Sequence, residues 1–94
     1  MFVAKVIFYG PDTGGRQTPP QPGYHPQIKA GDEYTSCRIE SLTGVAVFDF
    51  DVEHLVSLEL LFPDVYAGRF VFGDAVAFYE GSHQVGRGRI LDAL

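Results

Sequence analysis

A glycine- and proline-rich stretch, residues 14–27, constrains the fold of this chain more than any other feature. It reads GGRQTPPQPGYHPQ and contains four of the six prolines and three of the eleven glycines. Proline fixes φ and lacks a backbone donor, while glycine permits positive φ, so the stretch cannot form a helix or a central strand. We therefore expect an ordered loop with polyproline-like pieces, anchored on the rest of the domain by Tyr24.

The segments around this loop have the alternation and β-branched composition of strands, separated by turn residues. Strands or short apolar segments are predicted at residues 2–9, 27–29, 34–41, 45–52, 54–62, 69–72 and 75–79, and from residue 89 onwards. Residues 80–88 are predicted to form a glycine-rich turn, and residues 73–74 a hairpin turn. The run 54–62 also fits a buried helical turn, but its alternation favours a strand. The pattern as a whole indicates an all-β barrel or sandwich.

The alternation also predicts which side chains face the core. Thr35, Cys37 and Ile39 share one face of their strand, and Phe48, Phe50 and Val52 share one face of the next. We expect Val6, Phe8, Cys37, Ile39, Phe48 and Phe50 to be largely buried. Cys37 is then a small apolar core residue, in preference to a reactive thiol, because no histidine lies near it in the sequence.

Length and composition indicate a single globular domain spanning residues 1–94. The apolar N-terminal segment has Lys5 in its middle and no cleavage signal after it, so we expect a first strand there and no signal peptide. No apolar run is long enough to span a membrane as a helix. One cysteine cannot form a disulfide within the chain, which fits a reducing compartment, and we expect a cytoplasmic location.

Charge is spread unevenly along the chain, whose formal net charge is −5. Residues 31–64 carry eight acidic side chains and only one basic one, Arg38. An acidic middle repels phosphate, so it disfavours binding of nucleic acid by the whole surface. This distribution of charge leaves open a small basic face that is built from the two ends of the chain.

The residues do not indicate catalytic or metal chemistry. His25, His54 and His83 lack ligand spacing, so no metal site and no cofactor is expected. Asp49 and Asp51 alternate on one strand face, where a solvated role is favoured over metal binding or acid–base catalysis. No nucleophile–base–acid pattern is visible, so an enzyme with a cleft formed only in space is the weakest alternative. The run Pro19-Pro20-Gln21-Pro22 looks like a ligand for a proline-recognition domain, but a structural role is favoured.

Two motifs together resemble the third, C-terminal, domain of elongation factor Tu. They are AKVIFY followed by GGRQTPPQPGYHPQ near the start, and EGSHQVGRGRI near the end. The resemblance covers nearly the whole chain and is most specific at Gly14–Arg16, Thr18-Pro19, Gly23-Tyr24, Pro26-Gln27, Glu80-Gly81 and Val85–Gly88. The chain departs from the family pattern at His25, Ile28, Ser82, His83 and Arg87. The chain also lacks the Gly-x-x-x-x-Gly-Lys-Ser/Thr motif of GTP-binding domains, so we expect no GTPase activity.

The resemblance implies a six-stranded antiparallel Greek-key barrel, free-standing and without the GTP-binding domain. It also implies candidate contact residues, because the family's domain helps to bind the acceptor and T arms of aminoacyl-tRNA. By motif these are Arg16, Tyr24, Gln27, Ser36, Gly81 and Ser82, with Arg87 and Arg89 adding positive charge near the turn. For Arg16 and Gln27 a structural role in holding their own loop is favoured over RNA contact, because an isolated domain gives up most of the family's RNA surface.

From these observations we expect a non-enzymatic module that binds a protein partner or a second copy of itself. The surface that the family uses to dock its GTP-binding domain would be free for this partner. The alternative is an RNA-binding module that retains the contacts to the T arm. The acidic middle of the chain favours the protein partner over tRNA.

Overall fold

The chain forms a closed barrel of six antiparallel strands in the computed structural model, which describes residues 1–62 and 73–93. The strands are β1 (Phe2–Phe8), β2 (Gln27–Ala30), β3 (Glu33–Ser41), β4 (His54–Leu60), β5 (Ala75–Glu80) and β6 (His83–Ala93). Around the barrel they follow the order β1-β4-β3-β2-β5-β6, and β6 pairs with β1 to close it. An all-β, six-stranded antiparallel barrel is therefore confirmed. Within the described ranges, no helix has the length and hydrophobicity needed to cross a membrane.

Five of the predicted strands are confirmed, with ends that differ by at most two residues from those expected. They correspond to β1, β2, β3, β4 and β5. The ambiguous run 54–62 is a strand up to Leu60, because its backbone pairs with β1 on one side and β3 on the other. The segment predicted at 69–72 lies outside the described residues.

The strand predicted over residues 45–52 is wrong, because residues 42–53 form an irregular loop. Backbone donors there bond to distant partners: Phe48 N–H donates to the carbonyl of Pro20 at 2.8 Å, and Asp51 N–H to that of Phe8 at 2.9 Å. Phe48 is buried, yet Phe50 is only half-buried and Val52 is half-exposed, so Val52 does not face inward as predicted. The alternation predicted the burial of Phe48 correctly, but it did not predict the hydrogen-bond partners of the backbone.

The long glycine-rich turn predicted at residues 80–88 is also wrong. The turn consists of Gly81 and Ser82 alone, and β6 already begins at His83. Gly86 and Gly88 lie inside β6, where an added Cβ would approach the carbonyl oxygens of Ile7 and Lys5 to 2.6 Å and 2.7 Å. These glycines therefore allow β6 to lie close against β1 at the seam where the barrel closes.

The barrel core is centred on aromatic rings. Phe8 is fully buried, and its ring centroid lies 5.5 Å from that of Phe48, 5.8 Å from Tyr24 and 6.0 Å from Phe78. The rest of the buried apolar set comes from all six strands: Phe2, Ala4, Val6, Ile28, Cys37, Ile39, Val56, Leu58, Leu60, Val76, Val85 and Ile90. The predicted burial is thus confirmed for Val6, Phe8, Cys37, Ile39 and Phe48.

The loop over residues 14–27 is bound to the barrel through its backbone. Tyr24 and Ile39 form an isolated bridge, in which Ile39 N–H donates to the carbonyl of Tyr24 at 2.9 Å. The carbonyl of Pro26 accepts from Cys37 N–H at 3.0 Å, and Pro20 is fully buried. Prolines that cannot donate still supply acceptors to the neighbouring segments. The proline run is consequently part of the domain, which disfavours its alternative role as a ligand for another protein.

Gly15→Ala should lower the free energy of unfolding by about 3 kcal/mol or more. The added Cβ would lie 1.9 Å from the carbonyl oxygen of Tyr9, a backbone atom of the residue that directly follows β1. Gly14→Ala is the matched control: it adds the same methyl group into open space at φ +78°, and we expect a loss of only about 1–2 kcal/mol there. Urea unfolding of the two variants measures the difference, and equal losses would contradict the close packing of the loop.

Candidate functional site

Three side chains join the proline-rich loop to the end of β5. The carboxylate of Glu80 accepts hydrogen bonds from the Arg16 guanidinium and from the Tyr24 hydroxyl. Arg16 also donates from Nε to the carbonyl of Thr18 at 3.0 Å, and its guanidinium lies 4.9 Å from the centre of the Tyr24 ring. We name Arg16, Tyr24 and Glu80 the loop lock, because they hold the proline-rich loop on the barrel. Glu80 is 64 positions from Arg16 and 56 from Tyr24 in the chain.

The loop lock has a defined protonation state at neutral pH. Desolvation and the hydrogen bond to Glu80 raise the pKa of Tyr24 far above its usual value, so the hydroxyl stays protonated and donates. Desolvation alone would raise the pKa of Glu80, but the hydrogen bonds from Tyr24 and Arg16 lower it below its ordinary value. Glu80 is therefore a carboxylate anion that is stabilised by hydrogen bonds from Arg16 and Tyr24.

The structure places the candidate residues from the sequence in three locations. Arg16 and Tyr24 belong to the loop lock, and the Gly81-Ser82 turn follows Glu80 directly. Nε2 of His83, at the far side of this turn, lies 3.3 Å from the carbonyl oxygen of Gly15.

Gln27 and Ser36 are the second location. They are direct cross-strand partners on the outside of the barrel, and Gln27 is also paired with Tyr79 of β5. Because Tyr79 precedes Glu80, this pair lies beside the loop lock. Arg87 and Arg89 are the third location, further along β6.

The strand registers place several outward side chains in three adjacent rows across the barrel. The first row holds Ser36, Gln27, Tyr79 and Gln84; the second holds Tyr34, Lys29, Ala77, Arg87 and Ile7; the third holds Ala75, Arg89 and Lys5. Four of the seven lysines and arginines of the chain are among them. We name this outer surface of β2, β5, β6 and β1, with Tyr34 and Ser36 of β3 at its edge, the cationic face.

Aromatic rings support two of the cations on the cationic face. Lys29 Nζ lies 5.3 Å from the centre of the Tyr34 ring, and the Arg87 guanidinium lies 5.6 Å from that of Tyr9. Arg87 also donates to the Tyr9 hydroxyl at 3.3 Å. Between these pairs the outward side chains of β5 are small, because they belong to Ala75 and Ala77. A partner can therefore approach the strands between the raised basic and aromatic side chains.

A groove of about 440 Å³ crosses the cationic face along β1 and β6. Its basic lining comes from Lys5, Arg87 and Arg89, and its apolar lining from Ile7 and Leu91. Glu53, from the loop before β4, stands at the groove and approaches Lys5 Nζ to 3.6 Å. On the sides of the barrel formed by β3 and β4, Arg38, Glu40 and Glu59 are outward, and Arg38 pairs with Glu40 at 2.8 Å.

Sequence reasoning did not identify Lys5, Tyr9, Glu53 or Glu80 as functional candidates. Lys5 is outward by simple alternation in β1, a signal that was available. Its position opposite Arg89 depends on the register of β6. That register could not be predicted, because residues 80–88 were expected to form a turn. The contacts of Tyr9 with Arg87 and of Glu80 with the distant Arg16 follow only from the closed barrel.

Cys37 and His54, which could supply nucleophilic or metal chemistry, are buried in the core of the barrel. Cys37 is buried, and burial raises the pKa of its thiol to about 12, so the thiolate is scarce at neutral pH. The ring of His54 packs between Phe8 and Phe48, and its Nε2 lies 2.9 Å from the carbonyl oxygen of Asp49. Across residues 1–62 and 73–93, no cluster of three or more histidine, cysteine or acidic side chains could hold a metal ion.

Fold and surface together define a small antiparallel barrel with a cationic outer face. No protein-family model matches the chain, and no curated protein matches it either. The function is therefore argued from the surface geometry and charge.

Tyr24→Phe and Tyr24→Ala should separate the two contributions of the loop anchor. The phenylalanine variant loses the hydrogen bond to Glu80 and should destabilise by about 1 kcal/mol. The alanine variant also loses a half-buried ring in edge contact with Phe8, and we expect a loss of about 3 kcal/mol. Chemical denaturation measures both, and a loss below about 0.5 kcal/mol for Tyr24→Ala would show that the ring does not hold the loop.

The loop lock should also give the protein an acid-sensitive part of its stability. Because the pKa of folded Glu80 lies below its ordinary value of 4.5, ionised Glu80 stabilises the fold above that value. This stability is lost as the pH falls through the lowered folded pKa. Urea midpoints of the wild type and Glu80→Gln should therefore differ most near neutral pH and converge in acid. Parallel pH profiles for the two proteins would contradict the assignment.

Proposed function

We propose that this protein is a non-catalytic binding barrel, of the type of the elongation factor Tu C-terminal domain, that holds a partner protein on its cationic face. The observation that carries the proposal is the separation of charge: four of the seven basic residues gather on one face of a chain whose net charge is −5. Such separation favours an oriented encounter with an acidic partner surface. Its Greek-key type, like its relation to that family, is part of this proposal.

The composition of the face supports a protein partner. Tyrosine and arginine are enriched in protein interfaces, and Tyr34, Tyr79 and Arg87 stand on the face or at its edge. Tyr34 is 47% exposed, and its ring meets that of Tyr79 at 5.5 Å. The two rings present rigid apolar area that association could bury. A second copy of the chain is one such partner, because its exposed loop over 42–53 carries Asp49, Asp51 and Glu53.

RNA is the second candidate, and the same tyrosines favour it. Tyr34 and Tyr79 lie beside Lys29, Gln27 and Ser36, and aromatic rings between basic side chains can stack unpaired bases. Gln27 and Ser36 are also residues that the resemblance relates to the T arm of tRNA. Arg16, in contrast, is engaged by Glu80 and Tyr24, so a phosphate would have to compete for its guanidinium.

The two functions predict different results in a titration with labelled tRNA at about 150 mM salt. We expect no sub-micromolar binding, because few cations are available and each phosphate contact weakens with added salt. Sub-micromolar binding that is lost in Arg16→Ala or Arg87→Ala would overturn the protein-partner proposal in favour of RNA. Arg38→Ala, on the outside of β3 beside Glu40, is the matched control for loss of one arginine.

Affinity capture from native lysate, with and without nuclease, identifies the partner itself. We expect capture of a protein that survives nuclease treatment and is reduced when Arg87 and Lys29 are both replaced by glutamine. Light scattering of the protein alone shows whether that partner is a second copy. A monomer that captures no protein under either condition would contradict the proposed function.

A further inference from the structure

We propose that the groove along β1 and β6 binds an acidic peptide segment of the partner, one in which an aliphatic side chain lies next to a carboxylate. The inference rests on the proposed function, since it names the part of the cationic face that recognises the partner. It concerns Lys5, Arg87 and Arg89 as the cations and Ile7 and Leu91 as the apolar contacts.

Positive charge is concentrated along the groove. Arg87 and Arg89 are two positions apart in β6 and both exposed, so their side chains leave the same face about 7 Å apart. Lys5 is the direct cross-strand partner of Arg89. Like charges opposite each other in a ladder repel, and a carboxylate bound beside them offsets that repulsion, as Glu53 does for Lys5 in the free protein.

Neighbouring groups hold both arginines of the groove in place. The Tyr9 ring and hydroxyl hold Arg87, and Arg89 donates to the carbonyl of Gly73. Guanidinium groups held in this way lose less conformational freedom when a carboxylate binds. Both arginines are exposed, so a ligand can reach them from solvent.

The apolar lining of the groove and the carboxylates near it favour a peptide over a nucleic acid. Ile7 and Leu91 are half-buried aliphatic residues in the groove, and they fit an aliphatic side chain better than a sugar–phosphate backbone. Glu53 lies at the groove, and the charge of Asp51 acts on Arg87. A long polyanion crossing the groove would meet both carboxylates, whereas a short acidic segment needs to displace only one.

Glu53 already acts as a carboxylate ligand of this site. It approaches Lys5 to 3.6 Å, but the two side chains are 58% and 52% exposed, so the pair is weak and can be exchanged. A partner carboxylate would compete with Glu53 for Lys5. Removing Glu53 should therefore strengthen partner binding, an effect opposite to that of removing a cation.

The test uses a fluorescein-labelled peptide of repeated Asp-Glu-Leu units, with a peptide of Asn-Gln-Leu repeats as its uncharged counterpart, at about 150 mM salt. We expect saturable binding of the acidic peptide only. Lys5→Gln with Arg89→Gln should weaken it about ten-fold or more, and Glu53→Gln should tighten it about two- to five-fold. Arg38→Gln removes one cation on the outside of β3, away from the cationic face, and should change the affinity for the acidic peptide less than about two-fold. Thermal unfolding confirms that each variant is folded.

Several outcomes would overturn the groove assignment. An affinity that is unchanged or weaker in Glu53→Gln would show general charge attraction. Equal effects of the groove variant and Arg38→Gln would show the same. Tighter binding of oligouridylate than of the acidic peptide would assign the groove to nucleic acid, and self-association abolished by Lys5→Gln with Arg89→Gln would assign it to a second copy. If the lysate partner binds the groove variant as well as the wild type, the proposed function stands and the groove assignment is wrong. If neither the lysate nor the acidic peptide yields binding, both are wrong.

Discussion

The burial of Phe8 is the interaction on which the rest of the structure depends. Its ring contacts those of Tyr24, Phe48, His54 and Phe78, which come from the proline-rich loop, the loop over 42–53, β4 and β5. Two irregular loops are thus packed into the same core as the strands. Since a large buried ring contributes several kcal/mol of a total of about 5–15 kcal/mol, neither loop can detach without a substantial loss of stability.

The closure of the barrel also positions the cationic face. Gly86 and Gly88 point inward against β1, where any side chain would collide with the backbone of Ile7 or Lys5. The alternation of β6 then directs Arg87 and Arg89 outward, next to Ile7 and Lys5. The glycines that permit close strand packing therefore also bring basic residues from opposite ends of the chain together. A substitution at either glycine would disturb the fold and the groove at once.

The strands were predictable where hydrophobic alternation and backbone pairing coincide, as in β1, β3 and β4. They were not predictable where the two differ. Phe48 and Phe50 alternate with aspartates like strand residues, but the Phe48 N–H bonds to Pro20 in the other loop. Glycines at 86 and 88 indicated a turn because sequence cannot distinguish a glycine needed for positive φ from one needed for close approach. The position of Arg16 was anticipated in its own loop, while its partner Glu80 is a long-range consequence of closure.

Net charge alone would mislead about what this protein binds. At physiological ionic strength, charges are screened over about 8 Å, so a partner at the surface responds mainly to the side chains it approaches. On the cationic face those are Lys5, Lys29, Arg87 and Arg89, although the whole chain is acidic. The acidic residues elsewhere on the chain act over the same short range, so they disfavour a long polyanion that extends beyond that face. The proposed binding of a short acidic segment fits this distribution, because such a segment contacts the cationic face without extending over the acidic remainder of the surface.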